Sequence, residues 1–199
     1  MKNRLIHTTG KGVILLTCFL FLFLFSRAQV NYTGTAFDLV ISGTSTLHDW
    51  DMKSAKGTCT AAFTFNNAGQ LTGLSALSFS TPANALKSEH SAMDKNAYKA
   101  LKTDKSPVIT YTLNTGSVAP SSAGMNTILC KGRLTVAGTT IDENVSALGK
   151  LNPDGTITVT GSSKISMKDF NMEPPTFMMG TIKTGNDVVL KFNITLKKA

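Results

Sequence analysis

Residues 188–197 read VVLKFNITLK, and every second side chain is apolar: Val188, Leu190, Phe192, Ile194 and Leu196. The positions between are mostly polar, with Lys191, Asn193, Thr195 and Lys197. Successive side chains of a strand point to opposite faces, so this run predicts a strand with one dry face and one wet face.

The same period of two recurs upstream. TAFDLVIS aligns Phe37, Leu39 and Ile41, and TCTAAFTF aligns Cys59, Ala61, Phe63 and Phe65. LTGLSALSFS aligns Leu71, Leu77 and Phe79; VITYTLN aligns Ile109, Tyr111 and Leu113; TITVT aligns Ile157 and Val159. The pattern predicts about eight strands, at 35–42, 57–66, 71–80, 108–116, 126–137, 140–150, 156–166 and 187–197, with a short extra one through 46–52. Turn chemistry separates them in NNAGQ, AGTT and NPDGT, where Asp154-Gly155 suits a tight hairpin. Neighbours joined by short turns pair antiparallel. The fold class is therefore all-β with one or two short helices. A single dry face has to be hidden, and closing the sheet into a barrel hides it and removes sticky edges. A two-sheet sandwich does nearly as well by pattern alone.

One stretch breaks the alternation: SEHSAMDKNAYKALKTDKSPV, residues 88–108. Met93, Ala97 and Leu101 recur at helical spacing, with Lys95, Lys99 and Lys102 on the opposite face. Ser91 with Asp94 predicts a capping box, and Ser106 before Pro107 ends the helix. The expectation is an amphipathic helix at 91–102 whose narrow dry stripe closes a barrel mouth or groove.

The first residues predict export. Lys2, Arg4 and Lys11 precede VILLTCFLFLFLF at 13–25, and small residues follow at Ser26 and Ala28. This is the pattern of a secretory signal, residues 1–28, cleaved after Ala28. The apolar run is short for a transmembrane helix, which needs about 20 residues. A lipoprotein alternative would use Cys18, but Thr17 precedes it and the apolar run continues beyond it. Losing Lys2, Arg4, Lys11 and Arg27 lowers the formal net charge from +8 to +4. Residues 29–199 then suit one domain. The remaining cations are spread out and include one arginine, Arg133, so the sequence offers no nucleic-acid footprint. Cys59 and Cys130 remain; export permits a disulfide, and two small buried hydrophobes on separate strands read equally well.

Other residues admit sharper chemistry. His48 lies beside Asp49, and Asp51 is two residues further on, a candidate metal or base cluster, but adjacent strand residues face opposite ways. His90 precedes the helix with no activated nucleophile in view. Phe170, Met172, Phe177, Met178 and Met179 cluster around Pro174-Pro175. Thioethers bind Cu(I), and they also make an adaptable apolar rim. The expectation is a rim, with a copper or redox accessory role as the alternative. No metal site and no catalytic residue is expected.

These elements in this order resemble the YceI-like polyisoprenoid-binding family. GTSTLHDWDMKSAKGTCTAAF at 43–63 is similar to its N-terminal hairpin, and MDKNAYKALKTDKSPVITYTL at 93–113 to its central signature. KGRLTVAGTTIDENV at 131–145 is similar to its glycine-turn hairpin, SMKDFNMEPP at 166–175 to its Asp-Phe corner, and VVLKFNITLKK at 188–198 to its closing strand. Two departures stand out: Asn171 where glycine is common, and the methionine-rich 172–179 segment.

The resemblance implies a lipocalin-like antiparallel barrel of about eight strands around an apolar cavity. It implies non-enzymatic binding of a polyisoprenoid or an isoprenoid quinone in the periplasm, with no required cofactor. The candidate lining on the strands is Phe37, Leu39, Ile41, Trp50, Phe63, Phe65, Phe79, Tyr111 and Leu113. Met93, Tyr98 and Leu101 join it from the helix, and Phe170, Met172, Phe177, Met178 and Met179 from the rim; Trp50 and Tyr98 are candidate contacts to a quinone ring. Lys95, Lys99 and Lys102 are a solvated face that would meet anionic lipid heads in a transient membrane contact. The oligomeric state stays open between monomer and homodimer. A ligand-free envelope stress protein with a filled core is the remaining alternative.

Overall fold

The structure, a computed structural model, describes residues 28–199. The expected export signal, apart from Ala28, and Cys18 lie outside the described residues.

Among the described residues, ten strands and one α-helix are arranged as β1 (Ala28–Ser45), β2 (Trp50–Ser54), β3 (Thr58–Phe65), β4 (Leu71–Pro82), α1 (Ser91–Ala100), β5 (Val108–Pro120), β6 (Asn126–Val136), β7 (Thr139–Leu151), β8 (Ile157–Ser166), β9 (Thr176–Phe177) and β10 (Ile182–Lys198). β1, β3 to β8 and β10 pair antiparallel in that order, and β10 pairs back onto β1 from Tyr32–Lys198 to Ser45–Thr184. The sheet is a closed eight-stranded antiparallel barrel, so the sandwich alternative falls. The closing ladder uses the alternating stretch at 188–197: Leu190, Phe192 and Ile194 stand opposite Ile41, Leu39 and Phe37.

The turns follow the predicted chemistry. Val136 pairs with Thr139 across Ala137 and Gly138, both at positive φ (51° and 82°). That is the backbone a two-residue hairpin needs to match strand twist. In the β7–β8 turn Asn152 N–H donates to the Thr156 carbonyl at 2.8 Å, with Gly155 at φ 81°.

Three expectations are corrected. The first strand runs well beyond 35–42 at both ends. It borrows two partners: residues 28–33 pair with β3, and residues 39–43 pair with β2. The extra strand starts at Trp50, because Ser45 folds 46–49 into a turn: its Oγ accepts the Leu47 and His48 N–H groups and donates to the His48 carbonyl. The capping box does not form. His90 is the N-cap residue without a side-chain cap bond, and Asp94 turns away to accept both the N–H (2.7 Å) and the Oγ (2.8 Å) of Ser88. Ser88 competes successfully because it offers two donors to one carboxylate oxygen.

The barrel has a filled end and a hollow end. At the filled end Tyr32 meets Phe63 edge-on at 5.6 Å, and Phe63, Ile128, Ile157 and Leu196 are fully buried. The other end carries α1, the β1–β2 turn, the 3₁₀ turn Met167–Phe170 and the β9–β10 hairpin.

Candidate functional site: an apolar cavity

The hollow end encloses a cavity of about 520 Å³. That lies within the range of about 300–1,000 Å³ typical of small-molecule sites. Every barrel strand contributes to its wall: Leu39 and Ile41 from β1, Leu77 and Phe79 from β4, Val145 and Ala147 from β7, and Leu190, Phe192 and Ile194 from β10 are among the lining residues. Gly161 on β8 leaves room for the Phe192 ring, which a Cβ there would overlap. α1 lies across the end, and Met93 and Ala97 from the helix and Leu101 at its C-cap line the cavity. Its stripe is the lid that the helical spacing predicted. Half-buried Tyr98 locks the lid, sharing its one hydroxyl proton between the carbonyls of Leu86 (2.7 Å) and Asn84 (3.0 Å), with Lys87 Nζ 4.9 Å from its ring centre. Lys95 and Lys99 are solvated, but Lys102 Nζ donates to the Asn171 carbonyl at 3.1 Å and straps the lid to the 167–172 corner.

That corner explains one departure from the family pattern. Asn171 takes a left-handed backbone, φ 52°. Asparagine is among the few side chains that tolerate it, which makes it a fair replacement for glycine. Its Nδ2 also donates to Thr139 Oγ1 at 3.3 Å, which glycine would not do.

The structure gathers Leu39, Ile41, Trp50, Phe63, Phe79, Met93, Leu101, Tyr111, Phe170, Met172, Phe177 and Met178 around this one cavity. Five candidates stand off its wall. Phe37 fills the corner where β1 leaves β3, over Gly34 and Gly57 and against Phe79. Phe65 packs on Tyr32 at the filled end. Leu113 borders a register shift against β6. Tyr98 is half-buried and packs beside the core, with its hydroxyl bonded as described. Met179 is fully exposed, held out by consecutive left-handed residues at Met178 and Met179. Alternation alone does not reveal the bulges and partner switches around Phe37, Phe65 and Leu113.

Few polar groups reach the cavity, and most answer to the backbone. Ser45 donates to the His48 carbonyl, Thr81 to Lys56, and Tyr111 to the Glu143 carbonyl. Burial, with smaller contributions from Cys130 and Glu143, raises the Tyr111 phenol and keeps it neutral. Cys59 and Cys130 both face the cavity as free, buried thiols. Burial pushes each up to about 11, with Cys130 adding to the effect at Cys59. Protonated thiols are poor nucleophiles and poor metal ligands. His48 and His90 lie at the rim, where His48 Nδ1 is 2.6 Å from the Asp49 carbonyl oxygen. Among the described residues no group of three or more His, Cys, Asp or Glu is placed to hold a metal. Leu47 (66% exposed) and Met178 (74%) stand at the same rim.

Glu143 and Ser163 were not anticipated. Ser163 Oγ donates to Glu143 Oε1 at 2.9 Å, and both line the cavity. The signal was available: Glu143 falls in phase with Ile141, Val145 and Ala147, on the dry face of its strand.

Comparison with known proteins agrees with this architecture. The YceI-like domain family model matches residues 27–196. No curated protein matches the chain. Burkholderia cenocepacia BcnA is similar in structure, with a TM-score of 0.63 and 14% identity, covering 80% of this chain and 95% of that one. A polyisoprenoid-binding domain from Saccharophagus degradans, implicated in plant cell wall breakdown, also has a TM-score of 0.63, with 12% identity over 85% of this chain and 99% of its own. A Campylobacter jejuni YceI protein reaches 0.50 with 19% identity, over 72% of this chain and 84% of its own. At such identities the structural likeness speaks to the fold, and membership rests on the family model. The chain belongs to the YceI-like domain family.

Proposed function

We propose that this protein is a non-enzymatic binding protein that holds a long-chain isoprenoid lipid, a polyisoprenoid or the tail of an isoprenoid quinone, inside its barrel. The observation that carries this reading is the cavity: about 520 Å³ in the hollow end, walled by aliphatic, aromatic and methionine side chains under an amphipathic lid. Each CH₂ moved from water into such a wall is worth about 0.8 kcal/mol gross, enough to hold several prenyl units after the chain is ordered. The polyisoprenoid-binding domain from Saccharophagus degradans, of the same fold, supports the choice of ligand class. The basic, apolar and small-residue pattern of residues 1–28 supports export to the periplasm. Exposed Leu47 and Met178 at the rim support a brief contact with a membrane surface while the lipid enters or leaves. The cavity needs no metal or redox group for this role.

Displacement of N-phenyl-1-naphthylamine tests the reading. The dye should brighten on binding to the protein and dim as geranylgeraniol is added. A protein that neither takes up the dye nor retains the prenol on gel filtration lacks the proposed function.

A further inference from the structure

The lipid reading leaves one cavity feature unused. In a mostly apolar chamber the side chains of Glu143 and Ser163 form a polar pair that bonds side chain to side chain. Glu143 carries the one carboxyl group among the lining residues, and no lysine or arginine lines the cavity with it. The pair is built into the barrel. Gly132 stands opposite Glu143 across β6–β7, and Tyr111 reaches over that glycine to donate to the Glu143 carbonyl at 3.1 Å, which fixes the backbone beneath the carboxyl. On its other side the β7–β8 ladder ends at Ala147 with Gly161, so Glu143 and Ser163 lie where the two strands part. Asn171 bonds to Thr139 just above, which places the 167–172 corner over the parting.

The hydrogen-bonding capacity left over has one sign. Ser163 has given its only proton to Oε1, so its remaining capacity is to accept. Among the described residues no hydrogen bond reaches Glu143 Oε2, which also accepts. A group placed here must therefore donate. An anionic head is disfavoured twice: by a carboxyl group facing it, and by a wall without lysine or arginine to offset its desolvation, the basic side chains among the lining residues being His48 and His90 at the rim.

We propose that Glu143 and Ser163 form a head-group site that selects lipids ending in a neutral hydrogen-bond donor, a long-chain alcohol or a hydroquinone, and rejects lipid phosphates. The inference rests on the lipid-holding function and adds its polarity. The hydroxyl sits high in the barrel beneath the 167–172 corner, and the chain runs down toward Phe63 and Ile128. Because a site built to bond a hydroxyl leaves its polar groups unpaired with the wrong ligand, discrimination exceeds what chain length alone would give.

Calorimetry with geranylgeraniol, its methyl ether and geranylgeranyl phosphate on the purified protein is the test. The alcohol should bind about tenfold more tightly than the ether, and the phosphate should bind weakest. Glu143→Met should shrink the alcohol's advantage over the ether, the ether gaining affinity because it no longer leaves a carboxyl group unpaired. Glu143→Gln, which keeps the shape and removes the charge, should also shrink the advantage of the alcohol and let the phosphate bind more tightly. Equal binding of alcohol and ether by the native protein, an alcohol preference that survives undiminished in both variants, or tightest binding of the phosphate by the native protein would each overturn the head-group site while leaving lipid binding intact. Binding of none of the three would overturn the lipid function itself, and the site with it.

Discussion

Gly132 lies directly beneath the ring of Tyr111: a Cβ at Gly132 would stand 2.6 Å from both Cζ and the phenolic oxygen. The missing side chain is what lets Tyr111, on β5, cross the whole width of β6 to reach the Glu143 carbonyl on β7. Gly132→Ala should therefore destabilise the fold by roughly 1–3 kcal/mol, the scale of overpacking. The Thr112 carbonyl, also in contact with that Cβ, cannot swing aside as a side chain would. Tyr111→Phe should cost less, about 1 kcal/mol for one hydrogen bond. Urea unfolding of both variants checks the order; a harmless Gly132→Ala would contradict the packing.

Acid should loosen the lid at Asp94. Burial works against its charge, but the Ser88 N–H, the Ser88 hydroxyl and Lys87 together outweigh that and hold the carboxyl below its ordinary value of 3.8. A group depressed in the folded state stabilises it above the unfolded pKa and loses that contribution as pH falls through the folded one. Asp94→Asn should accordingly lower the Tm at neutral pH, and the gap to the native protein should close in strong acid, below the depressed pKa. A gap of constant size across the titration would mean the carboxylate charge plays no part.

Most of the barrel was legible because one physical signal, alternation, was strong in six of the eight barrel strands and matched by turn residues such as Ala137-Gly138 and Asp154-Gly155. What alternation does not carry is the switch of β1 from β3 to β2, which lets Phe37 fill a corner instead of the cavity. The lid stripe Met93, Ala97 and Leu101 was legible from spacing, but its cap was not, because Ser88 lies outside the local motif and still captures Asp94. Glu143 was hidden by its neighbours: IDEN reads as a polar run until its phase with Val145 and Ala147 is counted.

The Lys102 strap should control release more than stability. Its bond to the Asn171 carbonyl is single and exposed, so Lys102→Met should change folding stability by less than about 1 kcal/mol. If the strap holds the lid down, transfer of bound geranylgeraniol to acceptor vesicles should quicken by roughly two- to fivefold, the same energy read as a rate. An unchanged transfer rate would show that lipid leaves by another path.

The two thiols should report occupancy. With pKa values near 11 and burial in the cavity wall, Cys59 and Cys130 should react very slowly with iodoacetamide at pH 8. Geranylgeraniol should slow them further, and urea should release both at once. Mass spectrometry counts the adducts; rapid labelling of the folded protein would place these cysteines elsewhere.

Native mass spectrometry of the protein purified without detergent from the cells that make it tests the central claim most directly. The account predicts one adduct per chain, whose mass on extraction is that of a prenyl alcohol or a prenylated hydroquinone or quinone. Only bare protein, in a preparation that also refuses added geranylgeraniol, would contradict it.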